Sequence, residues 1–174
     1  MTSSSETLGD LFATFQREAF RLETLDVYNI PRSAANLQAF LDGKPQPEGY
    51  NAEWVEQIRS HTSVGRRVYR VHILSRPLTP YLKYELGWGY RTNISGGEEF
   101  FILDTTDRPN PLPGVGDFWF FDSERPAIMN YDETGAFLGA ETLPDNRAEE
   151  FIRYRETALA HARPFPEWWA EHGE

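Results

Sequence analysis

The stretch RRVYRVHILSRPLTPYLKYELGWGYRTNISGGEEFFILDTT, Arg66 to Thr106, decides the fold. Its first nine residues are rich in β-formers and alternate. Tyr69, Val71 and Ile73 take one face, and Val68, Arg70, His72 and Leu74 take the other. Thr79 then offers an N-cap and Pro80 the first helical position, where a missing N–H costs nothing. The spacing predicts a helix from here that ends near Gly87 or Gly89, followed by a turn at NISGG. EEFFILDTT (98–106) reads as a short apolar strand of a sheet covered on both faces. Strand, helix, strand is a crossover unit, so the two strands are expected to pair in parallel.

Downstream, DFWFFD, PAIMNY and AFLGAE read as three strands. SERP and DETG are the turns between them, giving an antiparallel meander. Alternation puts Trp119 and Phe121 on the face opposite Phe118 and Phe120. A last helix is expected from Asn146, with Glu149 completing a capping box. Its buried stripe is Ala148, Phe151, Ile152, Leu159 and Ala162. The tail PFPEWWAEHGE reads as a loosely docked end.

Upstream, Leu8, Leu11, Phe12, Phe15, Ala19 and Leu22 follow a helical stripe, so residues 7–21 are expected to be a helix capped by Thr7 with Asp10. A second helix spans Ser33 to Asp42, with Leu37, Phe40 and Leu41 inward and Gly43 as its stop. KPQPEGY is a linker. Asn51 caps a third helix, with Trp54, Val55 and Ile58 on one side. The expected whole is a mixed α/β fold with helices on both faces of a central mixed sheet. It is one domain over 1–174: a helical N-terminal layer (7–62), a sheet core (66–163) and a tail (164–174).

The 174 residues carry a net charge of −10. Such a surface repels phosphate backbones, so direct nucleic-acid binding is not expected. The absence of cysteine removes disulfides, thiolate nucleophiles and Cys-ligated zinc. No window approaches 18 apolar residues, so no membrane span is expected. The segment MTSSSETLGDLF lacks the basic and apolar regions of a signal peptide, which points to the cytoplasm.

No catalytic motif stands by itself. His61, His72, His161 and His172 are never three or four residues apart, so no helical zinc pair exists, and neither metal nor cofactor is expected. There is no G-x-S-x-G elbow, no S-x-x-K tetrad and no phosphate loop. Charges inside apolar patterns are more informative, because each must snorkel, pair or line a cavity. Arg21, Glu23, Arg70, Glu85 and Arg155 are of this kind. One reading is structural ion pairing, for example Arg70 with Glu85 or Arg155 with Asp122. The other is a polar cleft at the end of the sheet, where Arg21, Arg70 and Arg155 meet Glu23, Glu85 and Glu98. Tyr28, Tyr81, Trp88, Tyr90 and Trp119 could wall it, and Asn93, Asp117 and Asp122 could join its lining or rim.

The segments FRLETLDVY, RRVYRVHILSRPLTPYLKYEL, GEEFFIL, DFWFFD and GAFLGAE, closed by YRETALAHA, resemble an actinobacterial family of unknown function. The resemblance covers nearly the whole chain. It implies company with helix-turn-helix regulators and small acidic partner proteins in developmental and secondary-metabolite gene neighbourhoods, hence a regulatory or accessory role. The order of elements is also similar to one half of the phospholipase D fold, whose chemistry needs H-x-K. Here His72 is followed by Ile73 and Leu74, His161 by Ala162 and Arg163, and no H-x-K occurs. The resemblance thus implies a degenerate member that binds rather than cuts.

The first expectation is a non-catalytic regulatory module that binds a helix-turn-helix regulator, a small acidic partner protein or a small ligand in this cleft. On it, Arg70→Ala should cost binding more than stability. The second is a cofactor-independent tailoring enzyme using His72 and Glu85, which requires His72 at a pocket lined by Glu85. The third is a scaffold or homodimer with an apolar patch around Trp168 and Trp169.

Overall fold

The computed structural model describes residues 6–173. The first five residues of MTSSSETLGDLF and Glu174 of the tail lie outside the described residues. The expected crossover is present. β2 (Arg67–Leu74) and β3 (Glu99–Asp104) pair in parallel, with Tyr69 opposite Glu99 and Leu74 opposite Asp104. The meander is present too: β4 (Phe118–Phe121), β5 (Arg125–Tyr131) and β6 (Phe137–Thr142) pair antiparallel in sequence. The fold is mixed α/β, with one seven-stranded sheet in the order β6-β5-β4-β1-β2-β3-β7.

The centre of that sheet corrects the sequence reading. The helix expected over residues 7–21 stops early: α1 is Leu8–Thr14, with the Thr7–Asp10 capping box formed, and β1 is Glu18–Glu23. β1 lies parallel to β2 and antiparallel to β4, so it joins the crossover to the meander. Residues 7–62 are therefore not a helical layer. The stripe misled because β1 is covered on both faces, and a strand buried on both faces loses its alternation. Phe20 and Leu22 enter one apolar cluster and Ala19 another. The chain is turned into β1 by Asp122, whose carboxylate accepts the N–H groups of Gln16, Arg17 and Glu18 at 2.7–3.0 Å.

Further helices follow the expected plan with changes at their ends. α2 (Ala34–Leu41) packs Leu37 and Phe40 inward but leaves Leu41 exposed. α3 (Ala52–Thr62) has Asn51 at its N-cap position without a capping side-chain bond. Asn51 instead adopts a φ of 56° and gives its amide to Asn93. α4 (Pro80–Tyr84) begins as predicted, with the Thr79 hydroxyl capping Leu82. It does not end at Gly87 or Gly89. It continues as a π-helical segment, Glu85–Tyr90, then α5 (Arg91–Asn93), and stops at Gly97 with φ 98°. Gly87 is a contact surface, not a stop: a Cβ there would sit 3.8 Å from both Phe40 and Trp169.

α6 (Ala148–His161) starts after a 3₁₀ turn at Asp145–Arg147, so the Asn146–Glu149 capping box does not form. The tail is firmly docked. β7 (Arg163–Pro164) pairs with β3, and α7 (Phe165–His172) buries Phe165 and Trp168. The Trp168 indole N–H donates to Asp104 at 3.0 Å. Half of the apolar patch expected around Trp168 and Trp169 is thus core.

α6 covers one face of the sheet through Phe118, Phe120, Phe151 and Ala158. On the other face lie two apolar clusters. One holds α1 and α3 around Phe15, Ile58 and Phe121; the other holds α4, the π-helical segment and α7 around Leu82, Phe100 and Trp168. The polar residues sit between these two clusters.

Candidate functional site

Adjacent strands build the centre of the site. Arg21 on β1 is in register with Arg70 on β2, and Glu23 with His72. Alternation points all four to the face between the two clusters. Two guanidiniums on neighbouring strands repel unless carboxylates separate them. Asp117 answers Arg21 at 3.0 Å. Glu23 and Glu98 answer Arg70 at 2.9 and 2.5 Å.

Each carboxylate is held by more than its arginine. Asp117 also accepts from the Tyr28 hydroxyl at 2.6 Å, the Thr24 hydroxyl at 2.6 Å and the Thr24 N–H at 2.9 Å. Tyr131 accepts from Arg21 at 2.9 Å. Glu98 accepts the Trp54 indole N–H at 2.9 Å. Burial opposes ionisation of Glu23 most strongly, but Arg70 and the other polar neighbours around it together outweigh burial and hold the carboxyl well below the usual range. Burial, reinforced by the neighbouring Glu23 carboxylate, pushes Glu85 well up.

His72 is fully buried and both ring nitrogens are engaged. Nε2 lies 2.9 Å from the Leu25 carbonyl and Nδ1 2.9 Å from the Tyr90 hydroxyl. That hydroxyl is in turn 2.5 Å from Glu23 Oε1. Glu85 and Tyr90 open and close the π-helical segment. Glu85 Oε2 is shut off from solvent and has no hydrogen-bond partner.

The structure therefore gathers Arg21, Glu23, Tyr28, Arg70, His72, Tyr81, Glu85, Glu98 and Trp119 on one face. It does not gather the rest. Asp122 and Arg155 lie at the opposite end of β1. Asp122 anchors the turn into that strand, while Arg155 pairs with Glu18 and Ser123. Neither ion pair suggested by the sequence forms: Arg70 chooses Glu23 and Glu98 over Glu85, and Arg155 chooses Glu18 over Asp122. Asn93 is buried against Asn51. Trp88 belongs to a separate aromatic group with Phe40, Tyr50 and Tyr84.

Asp117, seen in the sequence as a rim residue, is a hub. Trp54, Thr24 and the Leu25 carbonyl were not anticipated. A tryptophan on the inner side of α3 was the available signal, since a buried indole N–H needs an acceptor.

The centre is a packed ion network, not an open cleft. A cavity of about 400 Å³ reaches its edge at Thr24, Leu25, Asp117 and Tyr131. Another of about 400 Å³ opens between α2, the π-helical segment and α7. Phe40, Trp88 and Trp169 wall it, and Arg76, Lys83, Arg91 and His172 surround it.

The family described as domain of unknown function (DUF6879) matches residues 6–170. No curated protein matches the chain. Among solved structures, the phosphatidylserine synthase of Haemophilus influenzae Rd KW20 is similar at 13% identity with a TM-score of 0.49. The likeness covers 91% of this chain and 36% of the synthase, so the chain spans about a third of that protein's length. Among the described residues, no helix is long and apolar enough to cross a membrane.

Proposed function

We propose that this chain, which belongs to the DUF6879 family, is a non-catalytic binding module. Its binding place is the aromatic cleft between α2, the π-helical segment and α7. The observation that supports this reading is the gathering of Lys83 and Arg91 about Phe40, Trp88 and Trp169 on a chain of net charge −10, with His172 and the Asp104-paired Arg76 beside them. Aromatic walls take a planar apolar body, and the cations take a carboxylate or phosphate. The same chemistry suits an acidic, aromatic-bearing segment of a small acidic partner protein. The acidic surface elsewhere complements the basic reading face of a helix-turn-helix regulator.

The non-catalytic reading draws on His72, which is fully buried beneath the helices with both nitrogens engaged. An acid–base role in a tailoring reaction needs that ring at an opening.

Tryptophan fluorescence tests the cleft. 4-Nitrobenzoate, a planar non-fluorescent ring bearing a carboxylate, is expected to quench Trp88 and Trp169 saturably, and nitrobenzene alone more weakly. The double variant Lys83→Ala, Arg91→Ala should weaken binding at least about tenfold, since charge-assisted hydrogen bonds contribute about 1.5–3 kcal/mol each. Binding by the double variant as tight as that of the wild type, or a linear unsaturable quench, overturns the reading.

A further inference from the structure

The geometry points to a buried site for one divalent first-row transition ion, held by Glu23, His72 and Glu85 with the Tyr90 oxygen beside them. This lies apart from the aromatic cleft and does not depend on it.

Three observations converge on a missing positive charge at this point. The first is the tautomer of His72. The Leu25 carbonyl can only accept, so Nε2 carries the hydrogen that bonds it at 2.9 Å. In the neutral ring Nδ1 then keeps its lone pair, on the side of Tyr90 and Glu23. A histidine whose far nitrogen donates to a backbone carbonyl is oriented as metal-ligating histidines are.

The second concerns protons. The Tyr90 oxygen makes two contacts, 2.9 Å to His72 Nδ1 and 2.5 Å to Glu23 Oε1. Tyr90 has one proton to give, and with Nδ1 and Glu23 both unprotonated, one contact has none. Either an added proton or a cation must serve it. Nδ1 and Oε1 are 4.0 Å apart. With these three separations, a point about 2 Å from all three atoms exists, matching metal–nitrogen and metal–oxygen bonds of about 2.0–2.2 Å.

The third is Glu85. Its Oε2 is buried and has no partner, and one donor atom each from Glu23, His72 and Glu85 lies within 4.8 Å of the others. The π-helical segment makes this possible. An i to i+5 turn brings Glu85 and Tyr90 to one face, where an α-turn would spread them. Around them, two arginines face three carboxylates, Asp117, Glu23 and Glu98, before Glu85 is counted. Burial holds Glu85 in its neutral form, and a bound ion would take the place of its proton.

One imidazole, two carboxylates and a phenol oxygen, without sulfur, suit Mn²⁺, Fe²⁺ or Zn²⁺ better than Ca²⁺ or Mg²⁺, which favour all-oxygen shells. Because the site is enclosed, the ion is best admitted during folding.

The test refolds chelator-treated protein with Mn²⁺ or Zn²⁺, removes excess ion and counts bound metal by mass spectrometry. One ion per chain and a raised Tm are expected. Glu85→Gln keeps shape and removes a charged ligand. It should fold, as judged by circular dichroism, and bind more than about 100-fold more weakly, since even outer partners of metal ligands cost 10–100-fold. Glu53→Gln, on exposed α3 surface, should bind as the wild type does. No retained ion in the wild type with either metal overturns the site, leaving a proton shared in the cluster. Undiminished binding by Glu85→Gln also overturns it, placing the ion elsewhere.

Discussion

Arg70 shows what one residue does here. Its guanidinium lies between Glu23 and Glu98 and within 5.2–5.7 Å of the Phe100, Tyr90 and Trp119 rings. Such a pair adds little net stability over an apolar substitute, but breaking it strands buried charge. Arg70→Ala is therefore expected to destabilise the fold by about 3–5 kcal/mol, measured by urea unfolding. The sequence alone ranks binding above stability for this variant, and the geometry reverses that order. A loss under about 1 kcal/mol would mean that water or a neighbouring side chain replaces the guanidinium without strain. Substituting Glu98 together with Arg70 by Gln and Met should recover part of the loss, because one of the two stranded carboxylates is removed while Glu23 remains.

Among elements, α7 is attached through a titrating contact. Burial opposes the Asp104 charge, but the Thr106 hydroxyl and N–H, Arg76 and the Trp168 indole hold its pKa at about 2. A carboxyl depressed in the folded state stabilises the fold above its unfolded value near 4 and loses that contribution as pH falls toward 2. α7 should loosen over that window, seen as a shift in Trp168 emission. Asp104→Asn should flatten this part of the acid response. An unchanged acid profile in that variant would move the response to other carboxylates. The π-helical segment is the other element that carries consequences. It turns a helix whose glycines read as stops into a platform for Glu85, Trp88 and Tyr90.

Across the whole molecule, stability is expected to follow burial. β1 and β4 are covered on both faces, whereas β6 is an edge strand with mostly exposed residues. Amide exchange should be slowest in β1, β2 and β4 and fastest in β6. Early exchange of β1 would mean that the crossover and the meander open as separate units, with β1 as their seam.

The sequence by itself determined the crossover between β2 and β3, the order of the meander, the helices α2, α3, α4 and α6 and the mixed α/β class. Those segments are local, and their periods or caps are written in neighbouring residues. It also marked Arg21, Glu23, Arg70 and Glu85 as charges that had to be explained. Only the tertiary structure decided that EAFRLE is the central strand. A strand with both faces buried carries no alternation, and its partners β2 and β4 lie far along the chain. Only the structure decided which carboxylate each arginine takes, and that His72, Glu23, Glu85 and Tyr90 meet. Their donors come from β1, β2 and a π-helical turn, so no fixed spacing along the chain could reveal them.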